Sequence, residues 1–207
     1  MDFYAPLLPN HYYHIYNHAV GNENLFRKKD NYTYFLQKYT QYIHPIAQTF
    51  AYCLMPNHFH FLIKIRSIDE IIEHYKTLKG KKENEKVGFN VADLNMQQFS
   101  NFFNAYAKAY NTVFDRKGSL FVDKVRRKLV YDEQYLSTLI AYIHKNPIHH
   151  RFCKNINDWN FSSYATILSQ NDTKIERNAV LNLFGEVEAF VDFHKKDWIF
   201  PDDLKLE

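Results

Sequence analysis

Cysteine is scarce in this 207-residue chain: only Cys53 and Cys153 occur. They show no CxxC spacing, which excludes cysteine-held zinc and dithiol redox chemistry and predicts two free thiols. No apolar run approaches the roughly 20 residues that a membrane-spanning helix needs. The opening stretch MDFYAPLLPNHYY lacks the charged start and apolar middle of a signal peptide. Together these absences predict a cytoplasmic protein with no membrane partner. Neither sign of charge dominates: 26 Lys and Arg face 23 Asp and Glu, for a net charge of +3, so overall charge neither demands nor forbids a nucleic acid. No internal repeat is present. What the chain does have is apolar and aromatic bulk, with 16 Tyr and 18 Phe. That is enough for a substantial core in one domain with an appendage.

Periodicity orders the chain. HYYHIYNHAV (11–20) reads as a first strand closed by the turn GNEN. Asp30 can cap a helix through residues 31–44, in which Tyr32, Phe35, Leu36, Tyr39 and Ile43 recur at helical spacing and which Pro45 ends. IAQTFAYCLM and HFHFLIKIR, joined at Pro56-Asn57, predict an antiparallel hairpin. A polar helix follows from Ile68, then a charged loop, KKENEKVG (81–88), expected to be mobile. Residues 92–114 carry the strongest helix pattern, with Leu94, Phe99, Phe102, Phe103, Tyr106 and Tyr110 as its apolar stripe. VDKVRRKLVY (122–131) reads as a fourth strand, and Asp132 opens a helix that Pro147 should stop. This order predicts an α+β fold: a ferredoxin-like or RRM-like antiparallel β-sheet with helices on one face and a further, tyrosine-bearing helix. Residues 1–150 form the expected domain. Residues 151–207 form a C-terminal extension, with a packed loop over 156–168 and a helix over 178–196.

Within the third strand, His58 and His60 are two residues apart and so point to one face, while Phe59, Phe61, Ile63 and Ile65 point to the other. Their Cα atoms lie roughly 6 to 7 Å apart, near enough for both rings to reach one cation. A chain with 11 histidines yields about 0.6 such pairs by chance, so two solvated histidines fit the pattern as well. On the later helix, Tyr142 and Asn146 are four residues apart and share a face beside the stripe Leu136, Leu139, Ile140 and Ile143. A tyrosine at that edge is equally a core aromatic. The proline after Asn146 also biases that residue away from helical geometry.

Taken together and in order, three segments resemble the single-tyrosine HUH transposases, in particular the REP-associated tyrosine transposase branch. They are His58-Phe59-His60 preceded by LMPN, YIHKNP (142–147), and DWNFSSY (158–164). The likeness spans roughly residues 11–165. Residues 79–92 and the last 40 have no counterpart assigned in the family core, and recognition of a particular hairpin or of a second copy is expected there. The resemblance implies that Tyr142 is the nucleophile and that His58, His60 and Asn146 hold Mg2+ or Mn2+. It implies cleavage of single-stranded or hairpin DNA through a 5′-phosphotyrosine, leaving a free 3′-hydroxyl. Some relatives share active sites between two subunits and others work alone, so monomer and homodimer both stay open.

Deprotonation of a tyrosine, with an ordinary pKa near 10, needs help from the metal or a base; His144 is one candidate and otherwise a surface histidine. Arg116, Lys117, Lys124, Arg126, Arg127 and Lys128 face the single acid Asp123 beside Phe121, a density that suits DNA phosphates as well as it suits a solvated edge strand. His149, His150 and Arg151 form a lesser basic corner. Two rival functions remain: a domesticated module that binds hairpin DNA without cutting, and a metal-dependent hydrolase that activates water, for which no further ligands stand at suitable positions.

Overall fold

The structure is a computed structural model and describes residues 5–79 and 90–200. Four strands form one antiparallel sheet: β1 (Tyr12–His18), β2 (Ala47–Met55), β3 (His58–Ile65) and β4 (Arg126–Val130), in the order β2-β3-β1-β4. Helix α1 (Lys29–Tyr42) connects β1 to β2, and α2 (Ile68–Lys79) and α3 (Val91–Val113) connect β3 to β4. This is the expected ferredoxin-like arrangement. The charged segment 81–88 lies outside the described residues.

Alternation along β3 divides the molecule into two cores. Phe59, Phe61, Ile63 and Ile65 pack with Phe35 and Tyr39 of α1 and Phe99, Phe102 and Tyr106 of α3. The rings of Tyr39 and Phe61 stack at 4.3 Å and those of Phe35 and Phe102 meet at 4.7 Å, so much of this core is aromatic contact. On the opposite face Leu62 packs with Leu136, Leu139, Ile140 and Ile143 of α4 (Glu133–His149). Two helices thus cover one face and the tyrosine-bearing helix covers the other. The second face, with His58 and His60, is therefore buried rather than solvated.

Several expected boundaries move for identifiable reasons. The N-cap of α1 is Lys28, not Asp30, and Asn31 in the first turn reaches back to it, its Oδ1 accepting from the backbone N–H of Arg27 and Lys28. The fourth strand is shorter than expected because the Asn17 amide donates to the carbonyls of Asp123 and Lys124, which takes residues 121–125 out of the regular ladder. Pro147 does not stop α4: it lies within the last three residues, and the next turn is closed by His150 N–H to the Asn146 carbonyl at 2.9 Å. The single helix expected over 178–196 is two, α6 (Arg177–Phe184) and α7 (Val187–Lys195), broken at Gly185, whose φ of 92° favours glycine.

The segment between α4 and α6 protects a sheet edge. The Leu54 N–H donates to the Phe161 carbonyl, the Ser163 N–H to Tyr52 and the Trp159 indole to Leu54, all against β2. Beneath it a chain of buried hydrogen bonds joins four elements. Tyr52 N–H donates to Ser163 Oγ, Ser163 to His144 Nε2, His144 Nδ1–H to His194 Nε2, and His194 Nδ1–H to the Phe190 carbonyl. Neutral imidazoles make every link of this chain, and burial holds His194 down to about 4. Unfolded histidine binds a proton near pH 6.5, so the unfolded state takes up more protons between pH 6.5 and 4, and stability falls as pH falls through that window. His194 alone should remove about 3 kcal/mol by pH 4. Denaturant unfolding at pH 7 and pH 4.5 checks this, and His194→Gln should flatten the slope.

Candidate functional site

The two motifs far apart in sequence meet in space. His60, in the middle of β3, has its ring 5.7 Å from that of Tyr142 on α4, nearly perpendicular at 79°. The rings of His58 and His60 are 5.4 Å apart. Asn146 lies one helical turn beyond Tyr142 and its amide Nδ2 donates to the Tyr142 carbonyl at 2.9 Å, so its Oδ1 faces away from the helix backbone. Despite the proline that follows, Asn146 remains helical and the four-residue relation holds.

All four residues are buried, with His60 and Asn146 fully so. Burial lowers the pKa of His58 to about 2 and that of His60 well below its usual value, so both rings are neutral and keep one lone pair each. For His58 the tautomer is legible. Its Nδ1 lies 2.7 Å from Asn57 Oδ1, an oxygen that can only accept, so the proton sits on Nδ1 and the lone pair on Nε2. Two further polar atoms, His60 Nε2 and the acceptor Asn146 Oδ1, are buried with no hydrogen-bond partner. Such atoms are costly to strand in a core unless something satisfies them.

Other rings enclose the centre. His18 stacks on His58 at 4.6 Å and His150 meets it edge-on at 4.7 Å. His14 on β1, diagonal to His60 because its direct partner is Leu62, places Nε2 2.9 Å from His60 Nδ1. Phe200, after α7, packs 5.3 Å from Tyr142 and 5.0 Å from His149. His14, His18 and Phe200 were not singled out from the sequence. The spacing of His14 and His18, four apart on a strand, put both on one face, but only the β1–β3 register shows which ring each one meets.

The six basic residues of 116–128 separate. Arg126 and Lys128 alternate onto the histidine face, opposite Tyr16 and His14 of β1. Lys117 and Lys124 are exposed. Arg127 points the other way and is buried, its guanidinium donating to the carbonyls of Ala5 and Val125, so it is not available to a ligand. Arg116 braces its own turn through Asn111 and Ser119. His144 is not a surface histidine: it is fully buried and committed to the chain with Ser163 and His194. A cleft of about 680 Å³ between α3 and residues 118–125 contains none of His58, His60, Tyr142 and Asn146.

The Tyr142–His60 contact thus lies between a four-stranded ferredoxin-like sheet and the helix that crosses its second face. Among solved structures, the chain is similar to a REP-associated tyrosine transposase bound to a REP hairpin: the TM-score is 0.55 at 12% identity, over 82% of this chain and 86% of that one. That likeness shows the fold. No protein-family profile and no curated protein matches the sequence. Among the described residues no three His, Cys, Asp or Glu converge as a metal site, and no helix is long and apolar enough to cross a membrane.

Proposed function

We propose that the protein is a transposase-like DNA endonuclease and strand transferase that acts on hairpin or single-stranded DNA. The observation that carries this reading is the meeting of the Tyr142 ring with the His60 ring across the α4–sheet interface, with Asn146 buried one helical turn beyond Tyr142. The solved structure of similar fold has a REP hairpin bound, which supports hairpin DNA as the substrate class.

His58, His60 and Asn146 would together hold a divalent cation. The fit rests on their chemistry: one tautomer fixed by Asn57, and two stranded polar atoms, His60 Nε2 and Asn146 Oδ1. Two imidazole nitrogens and an amide oxygen, with no thiolate, suit Mn2+ or Mg2+ better than zinc. When bound, the cation supplies neutralisation of the phosphate oxygens. The phenol oxygen of Tyr142 attacks phosphorus, forming the O–P bond of a 5′-phosphotyrosine as the bond to the 3′-oxygen breaks; the phenol gives up its proton and the departing 3′-oxygen takes one up, so the proton count is unchanged. One phosphodiester replaces another, so the reaction is close to thermoneutral and the free 3′-hydroxyl can reverse it. Arg126 and Lys128, on the same face, with exposed Lys117 and Lys124, provide charge for the backbone. Arg116 and Arg127 do not.

Incubation with Mn2+ and a hairpin oligonucleotide should give a covalent adduct that survives a denaturing gel. Retardation in a native gel alone would instead indicate a hairpin-binding module. Because the Phe200 ring packs edge-on against the buried Tyr142 ring, Phe200→Ala should open the phenol to DNA and form adduct several-fold faster than the unaltered protein in the same gel assay.

A further inference from the structure

We propose that His14 is a positioning residue for His60, accepting the Nδ1 proton of that ring so that Nε2 presents its lone pair to the cation. The inference rests on the metal reading above and assigns a role to a residue outside the three donors. His14 Nε2 and His60 Nδ1 are 2.9 Å apart and both side chains are fully buried, so a single proton is shared between two nitrogens with no water to compete.

The two histidines of the strand are therefore supported differently. Asn57 Oδ1 can only accept, so His58 has one tautomer. An imidazole can accept or donate, so the His14–His60 pair has two arrangements. In one, His60 donates and its Nε2 is bare. In the other, His14 donates and His60 Nε2 carries a proton that blocks ligation. Neither His60 Nε2 nor His14 Nδ1 has another hydrogen-bond partner. Each arrangement thus leaves one N–H and one lone pair unmet, and the protein alone has little to choose between them. Ligation at His60 Nε2 removes one of the unmet atoms only in the first arrangement, so cation binding and proton position select each other.

A side chain whose oxygen can accept the Nδ1 proton should therefore preserve binding at position 14, whereas one that cannot accept should weaken it. His14→Gln is expected to bind Mn2+ at least as tightly as the unaltered protein, and His14→Phe about 10- to 100-fold more weakly, read by electron paramagnetic resonance of free Mn2+ without DNA. A packing role would weaken both variants. His60→Ala serves as the control for the underlying reading: if the unaltered protein fails to bind Mn2+, or His60→Ala binds as well as it does, the metal reading falls and this inference with it. If His60→Ala loses Mn2+ but His14→Phe keeps full affinity, the metal reading stands and the role of His14 is overturned. Should His14→Phe not fold, nitrogen NMR of the unaltered Mg2+-loaded protein decides. The shared proton on His60 Nδ1, coupled through the hydrogen bond to His14 Nε2, supports the inference, and a proton on His14 Nε2 overturns it.

Discussion

Replacing Tyr142 by Phe is expected to abolish covalent capture of DNA while leaving hairpin binding within about two-fold of the unaltered protein. The substitution removes one oxygen and keeps the ring that packs against His60, His14 and Phe200. The core around α4 therefore loses little, and the charges of Arg126 and Lys128 on the histidine face are untouched. Chemistry alone is lost: without a phenol oxygen no O–P bond can form, and water held in its place would give strand scission without an adduct. Denaturing gels measure the adduct, and native gels or fluorescence anisotropy measure binding. An unchanged adduct yield in Tyr142→Phe would remove the residue from the reaction.

The second large effect is expected at the metal donors. His60→Ala should lower Mn2+-dependent cleavage by at least about 10³-fold, since it removes a ligand outright rather than an orienting partner, whose loss is worth about 10- to 100-fold. Chelation should act identically on the unaltered protein, with activity restored by Mn2+. Folding needs its own control, because His60 lies at the centre of β3 and fills space beside Tyr142. His60→Gln keeps most of that volume and a possible oxygen donor. It should melt closer to the unaltered protein and recover part of the activity, whereas a pure packing defect would show equal loss of activity and melting temperature in both variants.

The elements that periodicity governs were legible in the sequence. The aromatic stripes of α1 and α3 and the alternation of β3 follow from repeats of 3.6 and 2, and they place Phe59 and Phe61 opposite His58 and His60 without reference to any other segment. The same alternation separates Arg127 from Arg126 and Lys128, so grouping all six basic residues as one surface overlooked a rule already available. What local sequence did not contain is pairing. That His14 meets His60 depends on the register of β1 against β3, and that Phe200 covers Tyr142 depends on how α7 docks. Burial of the histidine face has the same origin: α4 lies across it, which no pattern within β3 announces. Punctuation was read with mixed success for a physical reason. Proline removes one N–H, which the last turn of α4 tolerates, whereas glycine at a φ of 92° supplies a conformation that a continuing helix cannot use.

The most direct test of a helix-borne phenol acting over a histidine-held cation is to digest the Mn2+-dependent DNA adduct and sequence the modified peptide by mass spectrometry. The account predicts a nucleotide 5′-phosphate joined to the tyrosine of the peptide containing Tyr142-Ile143-His144-Lys145. Attachment at another residue, or its persistence after His58 and His60 are both replaced, would contradict it.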